Sequence, residues 1–188
     1  VSSTPTPIAA VTNSAKFVAA SSQFLSHANA TGINVAGIDF SIQCWVYQTG
    51  NTHGYMSRGD GSFGSREYGL SSVFSGGPGA PRFSINSSGP NVDGSAITSN
   101  AWHHIVVTFN NTSKAIVLYV DGVSVNTGTS VDNPAGTNTL YLGSSSAGSG
   151  FMSGNMCLVG TWRNRILSAS DVTALYNGGA GLSYAAMA

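Results

Sequence analysis

Apolar and polar residues alternate along several short stretches of this chain, and the alternation predicts β-strands. The clearest stretch is Phe40–Gln48, whose successive side chains would point to opposite faces of a sheet. The apolar face is formed by Phe40, Ile42, Cys44 and Val46. The other face is formed by Ser41, Gln43, Trp45 and Tyr47. This second face joins polar groups to two large aromatic rings, which suits a sheet surface that is partly covered or contacts a ligand.

Residues 101–128 predict three antiparallel strands joined by two short turns. Residues 103–109 are rich in β-branched side chains and contain no Pro or Gly, and strands at 116–120 and 123–127 follow. Residues 110–113, Asn-Asn-Thr-Ser, are turn formers. Asp121-Gly122 supplies the two positive-φ positions of a type I′ turn, whose twist suits a tight hairpin.

Further short strands and a single helix complete the predicted elements. The other strands are expected at residues 15–20, 23–27, 54–57, 68–74, 82–86, 139–143 and 156–163. Ser168 is a predicted N-cap, Asp171 completes its capping pattern, and glycines at 178 and 179 end the helix. The sequence thus predicts an all-β fold, an antiparallel β-sandwich with one short C-terminal helix. We expect residues 1–12 to form an N-terminal arm or linker and residues 13–188 to form the domain.

The composition narrows the possible functions. Only 7% of the residues are charged, against roughly 25% in ordinary globular proteins, and seven Lys and Arg balance seven Asp and Glu. Such a chain lacks the basic patch of a nucleic-acid-binding protein, and no apolar run approaches the roughly 20 residues that span a membrane. The two cysteines, Cys44 and Cys157, could form one long-range bridge, but two small buried thiols are favoured. A surface of Ser, Thr, Asn and Gly is typical of extracellular or virion proteins.

Five motifs follow one another in a recognisable order. They are FSIQCWVYQ, AWHHIVVTFNN, IVLYVDGVSVNTG, LYLGSSS and GNMCLVGTWRNRILSASDVTALYNGG. In this order the chain resembles a laminin-G-like domain of the concanavalin A-like lectin/glucanase superfamily, in its bacterial and viral three-block branch, over residues 15–179. The resemblance implies a jelly roll of two curved antiparallel sheets. It also implies a module that binds glycans or proteins.

Many members of the family hold a structural calcium ion with acidic residues, one early in the domain and one in the closing strand motif. Here the early position lies at residues 17–19, Phe-Val-Ala, and the closing pattern is Met-Cys-Leu-Val at 156–159. Neither contains a carboxylate, whereas calcium requires several hard oxygen ligands. We therefore expect that the family's calcium site is lost and that the chain needs no cofactor.

The densest cluster of functional groups lies in a Gly-punctuated region between residues 49 and 79. Its candidate ligand-binding residues are His53, Tyr55, Arg58, Asp60, Arg66 and Tyr68. The alternative is that its charged groups simply pair with one another at the surface. A second candidate site is the stretch Trp162-Arg163-Asn164-Arg165, because an indole ring beside guanidinium groups can stack on and hydrogen-bond a sugar. Trp162 could equally cover the helix.

Carboxylate pairs for glycoside hydrolysis are scarce. Glu67 is the only glutamate, and the close-spaced Glu/Asp strand motif of the glucanase members is absent. Asp60 could be paired with Glu67, but this pair is not favoured, so we do not expect an enzyme. His103 and His104 are neighbours on a predicted strand and would point to opposite faces, so they could not chelate one ion.

The sequence therefore supports a non-catalytic extracellular module that binds a glycan or glycoprotein, with no nucleic acid and no membrane insertion. The alternative hypothesis is a structural virion or cell-surface component, such as a capsid decoration or fibre domain, that would pack on a capsid or surface lattice.

Overall fold

A computed structural model describes residues 8–28, 31–50, 54–59, 66–72, 79–86, 90–134, 136 and 138–187. These residues form two six-stranded antiparallel sheets that pack face to face. We call them the front sheet, with strand order β1-β12-β3-β8-β9-β10, and the back sheet, with strand order β2-β11-β4-β5-β6-β7. The predicted antiparallel β-sandwich is confirmed.

The strands of the front sheet are β1 (Ala15–Phe17), β3 (Phe40–Gln48), β8 (Trp102–Phe109), β9 (Ala115–Val120), β10 (Val123–Thr129) and β12 (Gly154–Arg163). Those of the back sheet are β2 (Leu25–His27), β4 (Gly54–Gly59), β5 (Arg66–Ser72), β6 (Pro81–Ile85), β7 (Val92–Asp93) and β11 (Thr139–Leu142). One α-helix, α1 (Ala169–Tyr176), and 3₁₀ turns at Ala19–Ser21, Thr31–Ile33, Asn177–Gly179 and Tyr184–Ala186 complete the elements. None of these helices is long and apolar enough to cross a membrane. Several boundaries differ from the prediction: residues 18–20 leave the first strand, residues 23 and 24 precede β2, and β7 forms where no strand was expected.

The β8-β9-β10 meander follows from its two turns. Asn110 accepts backbone hydrogen bonds from Thr112 and Ser113 through its side-chain oxygen. Asp121 and Gly122 have φ angles of 51° and 82°, as a type I′ turn requires. Both predicted turns are confirmed, and they hold β8, β9 and β10 in register.

The core lies between the two sheets. It contains the apolar face predicted for β3 together with side chains from both sheets, among them Met56, Leu70, Phe83, Ile105, Phe109 and Leu118, all no more than 1% exposed. Cys44 belongs to this core, whereas Cys157 packs on the outer side of the front sheet, and both thiols are free and buried. The two thiols therefore do not form a bridge.

Helix α1 covers the outer face of the front sheet. Its Val172 and Leu175 pack with Val106 and Tyr119 of the sheet in a second apolar cluster. Ser41, Gln43 and Trp45, from the mixed face of β3, are no more than 1% exposed beneath this layer. The expectation that this face is partly covered is confirmed. Ile8 also packs on this side against Trp45 and Leu158, so the chain already lies against the domain before residue 13.

Candidate functional site

Three of the six candidate residues between positions 49 and 79 have described side chains, and all three lie inside the molecule. Tyr55 and Arg58 are 0% exposed and Tyr68 is 1% exposed, so none of the three presents a surface to a ligand. Arg58 Nε lies 3.0 Å from Oε2 of Glu67, which is itself 1% exposed. The interpretation of Tyr55, Arg58 and Tyr68 as ligand contacts is therefore corrected: strands β4 and β5 pair and turn these side chains into the interior.

This buried ion pair connects several parts of the fold. The Arg58 guanidinium donates a hydrogen bond to the carbonyl oxygen of Ile33, and Glu67 Oε1 accepts one from the Asn138 backbone N–H at 2.8 Å. The pair thus ties β4 and β5 to the segments that precede β3 and β11. Its role is structural.

The two buried tyrosines are held as neutral phenols. Tyr55 donates a hydrogen bond to Gln48 Oε1 at 2.8 Å, and Tyr68 packs between the rings of Phe40 and Phe83. Burial raises the pKa of both phenols well above the ordinary value. His53 and Asp60 lie outside the described residues, and of Arg66 only the backbone, which pairs with Gly59, is described.

The two aromatic candidates on β3 have different surroundings. Trp45 is 1% exposed, and its ring stacks between His104, with centroids 5.0 Å apart, and Tyr176 of α1, at 5.8 Å. It is therefore a packing residue and not a ligand contact. Tyr47 is half-buried and faces the half-buried ring of Trp102 on β8, with centroids 5.6 Å apart. The Tyr47–Trp102 pair forms a small, partly exposed aromatic surface.

Trp162 lines a pocket at the other end of the same sheet face. This pocket, which we call the helix pocket, has a volume of about 210 Å³. Its polar lining comes from Arg165 and Asp171, and its apolar lining from Trp162, Leu167, Ala174, Leu175, Leu182, Ala186 and Met187. A half-buried aromatic ring, a cation and a carboxylate therefore line one small concavity. This is the arrangement expected where a few placed polar groups orient a ligand on an apolar floor.

Local sequence explains the shape of the helix pocket. A β-carbon added to Gly160 would lie 3.3 Å from the Trp162 ring, so the glycine leaves room for the indole to lie along the strand. Ser168 caps α1, with its Oγ accepting from the Asp171 backbone N–H at 3.1 Å while Asp171 Oδ2 accepts from the Ser168 N–H at 2.8 Å. This reciprocal capping holds Asp171 at the rim.

Arg165 and Asp171 face each other across the rim, with 3.3 Å between Arg165 Nη2 and Asp171 Oδ1. Hydrogen bonds from the Ser168 backbone and side chain, and then the charge of Arg165, lower the pKa of Asp171. The rim therefore carries an ionised acceptor beside a permanent donor. With side chains 53% and 36% exposed, both groups can exchange water for a ligand.

Arg163 does not belong to the helix pocket. It is exposed, lies on the opposite face of β12 from Trp162, and donates from Nε to the carbonyl oxygen of Asn34 at 2.7 Å. The alternation of side chains along a strand was the signal that could have separated Trp162 from Arg163. The candidate stretch 162–165 contained Arg165, but sequence reasoning assigned Asp171 only to the helix cap and missed it as a pocket residue. Both enter the pocket because the chain turns at Asn164, with φ of 55°, and then starts the helix.

The described residues contain no group of three or more His, Cys, Asp or Glu side chains arranged to hold a metal. At the family's calcium positions, Phe17, Met156 and Leu158 are buried apolar side chains, no more than 4% exposed. These side chains do not fit a calcium ion, which requires oxygen ligands. His103 and His104 lie on opposite faces of β8: His103 bonds Asp121 and Thr98, whereas His104 bonds Gln43.

Comparisons with known proteins agree with this fold. The laminin-G-like family model, described as concanavalin A-like lectin/glucanases superfamily, matches residues 20–173. A comparison with curated proteins found no match. Among solved structures, the chain is similar to a heptameric SAP-like pentraxin from Limulus polyphemus, with 18% identity, a TM-score of 0.61, and coverage of 78% of this chain and 74% of that chain.

Two further solved structures contain bound sugars. The CBM40 of the Ruminococcus gnavus IT-sialidase, bound to α2,3-sialyllactose, has 13% identity, a TM-score of 0.64, and coverage of 78% of this chain and 85% of that chain. Domain 4 of AbnA, a GH43 extracellular arabinanase from Geobacillus stearothermophilus, in complex with arabinotriose, has 22% identity, a TM-score of 0.55, and coverage of 76% and 68%. At such low identities the likeness shows the shared fold. Because the family model matches most of the chain and the two-sheet architecture agrees with it, this protein belongs to the laminin-G-like family of the concanavalin A-like lectin/glucanase superfamily.

Proposed function

We propose that this chain is a non-catalytic module that binds a glycan, free or on a glycoprotein, outside the cell. The observation that carries the proposal is the helix pocket, where Trp162, Arg165 and Asp171 line one cavity of about 210 Å³. A cavity of this size suits a single sugar ring or the end of a chain. The helix pocket would therefore hold a terminal or branching unit and leave the rest of the glycan in solvent.

The three residues supply complementary contacts to a sugar. The flat apolar face of Trp162 suits the C–H face of a pyranose ring. Arg165 offers several donors in a fixed plane and Asp171 offers only acceptors, so together they can bind adjacent hydroxyl groups. Because the two charges cancel, a neutral sugar fits better than a strongly anionic one.

Three observations support binding without catalysis. The only glutamate, Glu67, is 1% exposed and paired with Arg58, so it is inaccessible to a substrate. Asp171 is engaged by the helix cap, which leaves it unsuited to act as a general acid. Two of the structural relatives are carbohydrate-binding domains whose structures contain sialyllactose or arabinotriose.

The test is a glycan-array screen that includes sialyllactose and arabinotriose, followed by titration calorimetry with the best binder. We expect Trp162→Ala to weaken binding at least about tenfold, or about 1.4 kcal/mol. Arg163→Ala is the matched control, because Arg163 is the neighbouring residue on the strand but lies outside the pocket. It should leave the affinity unchanged.

A blank array with folded, monodisperse protein would contradict the proposal. It would favour the alternative role as a capsid or surface-lattice component, which oligomer formation or docking on a particle would then support. Binding that survives Trp162→Ala but is lost in Tyr47→Ala would keep glycan binding and move the site to the Tyr47–Trp102 pair.

A further inference from the structure

The edge of the front sheet is only half covered. Strand β12 runs from Gly154 to Arg163, but β1 pairs with it only at Gly154, Asn155 and Met156. Among the described residues, no strand lies on that side of β12 from residue 157 to residue 163. Edge backbone of this kind carries N–H and C=O groups that can pair with another strand.

One carbonyl at this edge already accepts a hydrogen bond from outside the sheet. The hydroxyl of Tyr184 donates to the carbonyl oxygen of Val159 at 3.2 Å. Tyr184 itself is 57% exposed, which leaves its side chain free to move aside. The Val159 carbonyl therefore faces away from the sheet, and its hydrogen bond comes from the Tyr184 side chain and not from a neighbouring strand.

An apolar cleft opens where β1 stops. It has a volume of about 480 Å³ and lies between the edges of the two sheets. Its inner wall is formed by core side chains such as Met56, Leu140 and Met156, and Leu25, 54% exposed, lies at its mouth. Among the residues that the structure describes, none that lines the cleft has a charged side chain.

We propose that this edge is a docking site for an extended, uncharged peptide segment of another protein, which would continue the line of β1 along β12. Two observations favour a peptide. Strand β12 is bulged between Cys157 and Gly160, so the regular unpaired backbone is that of residues 160–163. Another backbone can match the spacing of these groups, whereas an acyl chain or an aromatic molecule would leave them unpaired. The adjoining cleft is apolar and lies where alternate side chains of such a strand would point.

The cleft also defines the sequence of the occupant. Alternate residues would be apolar and would enter the space lined by Leu140, Leu142 and Met156. The residues between them would face solvent and could be polar. A charged residue on the inward side is excluded because the cleft has no charged partner to offset its desolvation.

The probe is a fluorescently labelled octapeptide of alternating valine and serine, titrated into the full chain and followed by fluorescence anisotropy. Two further peptides carry backbone N-methyl groups on all the valines or on all the serines. In an extended strand, successive N–H groups point to opposite edges of the strand. Each methylated peptide therefore loses its hydrogen-bond donors along one edge and keeps them along the other. We expect one methylated peptide to bind like the parent and the other to bind at least about tenfold more weakly.

Variants of the protein locate the site. Leu25→Glu places a charge at the mouth of the cleft and should weaken binding of the parent peptide at least about tenfold. The matched control is Val123→Glu, because Val123 is 64% exposed on β10 at the opposite edge of the front sheet. Thermal unfolding of both variants establishes that they are folded, and neither should change glycan binding at the helix pocket.

Three results would overturn the proposal. No binding of the octapeptide would remove the strand-docking site. Equal binding of both methylated peptides, or equal loss in both, would mean that the cleft takes an apolar solute without strand pairing. Self-association of the protein that Leu25→Glu abolishes would identify a second copy of this chain as the occupant instead.

Discussion

An arginine, a carboxylate and an aromatic ring lie together at two places in this molecule. In the first set, Arg58 is 0% exposed and Glu67 and Tyr68 are each 1% exposed. In the second set, the side chains of Arg165 and Asp171 are 53% and 36% exposed, and Trp162 is half-buried beside them. The residue types are nearly the same, but only the second set can contact a ligand.

The two sets differ in hydration: the buried charges have lost their water and need protein partners, whereas the exposed charges remain hydrated. Burying a guanidinium and a carboxylate costs several kcal/mol per ion, so the buried pair is held by its partners and by the backbone of Ile33 and Asn138. The exposed pair is already hydrated, so a sugar hydroxyl can replace a water molecule at little cost. Clusters of functional residues therefore indicate a binding site only when their exposure is known.

The largest expected effect is a difference between the Arg58–Glu67 and Arg165–Asp171 pairs in their contribution to the free energy of unfolding. Glu67→Gln leaves the buried Arg58 without a counter-charge and should lower the free energy of unfolding by about 3–5 kcal/mol. The equivalent change at the exposed pair, Asp171→Asn, should cost no more than about 1 kcal/mol. Urea unfolding measures both. Equal losses would mean that the contrast in burial has no energetic consequence.

The next effect is a pH dependence of stability that arises from His104, which is buried beneath α1. His104 is 0% exposed, its ring stacks on Trp45, and its Nε2 lies 2.9 Å from Gln43 Oε1. Burial lowers the pKa of His104 from 6.5 to about 4, although the nearby charge of Asp121 acts in the opposite direction. Because the unfolded chain takes up the proton first, the free energy of unfolding should fall as the pH falls from about 6.5 to about 4, by up to about 3 kcal/mol.

The measurement is urea unfolding at a series of pH values for the wild type and for His104→Gln, which should flatten this slope. His27→Gln is the control, since His27 is an exposed histidine on β2. A slope that persists in His104→Gln would assign the acid sensitivity to other groups.

A smaller effect is expected at the helix cap. Ser168→Ala removes the acceptor of the Asp171 N–H and should lower the free energy of unfolding by about 1 kcal/mol. Because the same cap holds Asp171 at the pocket rim, the affinity for the glycan should also fall a few-fold. Thermal unfolding and calorimetry measure the two effects. Ser124→Ala, at an exposed serine on β10, is the control. An unchanged affinity in Ser168→Ala would show that the cap does not position Asp171 for binding.

Much of the fold could be predicted from local signals. Asp121-Gly122 determines its hairpin because only a few residue types accept two positive φ angles, and Ser168 with Asp171 determines the start of α1. The alternation in Phe40–Gln48 identified the core face of β3 and its covered face. These features depend on residues close in sequence.

The site depended on residues far apart and was predicted only in part. Trp162 was identified, but the pocket also needs Leu182 and Met187, which reach it only after the chain has passed α1. Arg58 and Tyr68 were misinterpreted because they flank the Gly-rich stretch between the strands predicted at 54–57 and 68–74. The pairing of β4 with β5 and β11, and of β5 with β6, buries both side chains. No local pattern encodes that burial.

The most direct test of the account follows the three indole N–H signals by NMR while the tightest-binding glycan from the array is titrated. Trp→Phe variants assign the signals of Trp45, Trp102 and Trp162. The account predicts that the Trp162 signal shifts to saturation while those of Trp45, which is 1% exposed, and Trp102 remain in place. A shift of the Trp102 signal with an unmoved Trp162 signal would contradict it and place the glycan on the Tyr47–Trp102 pair.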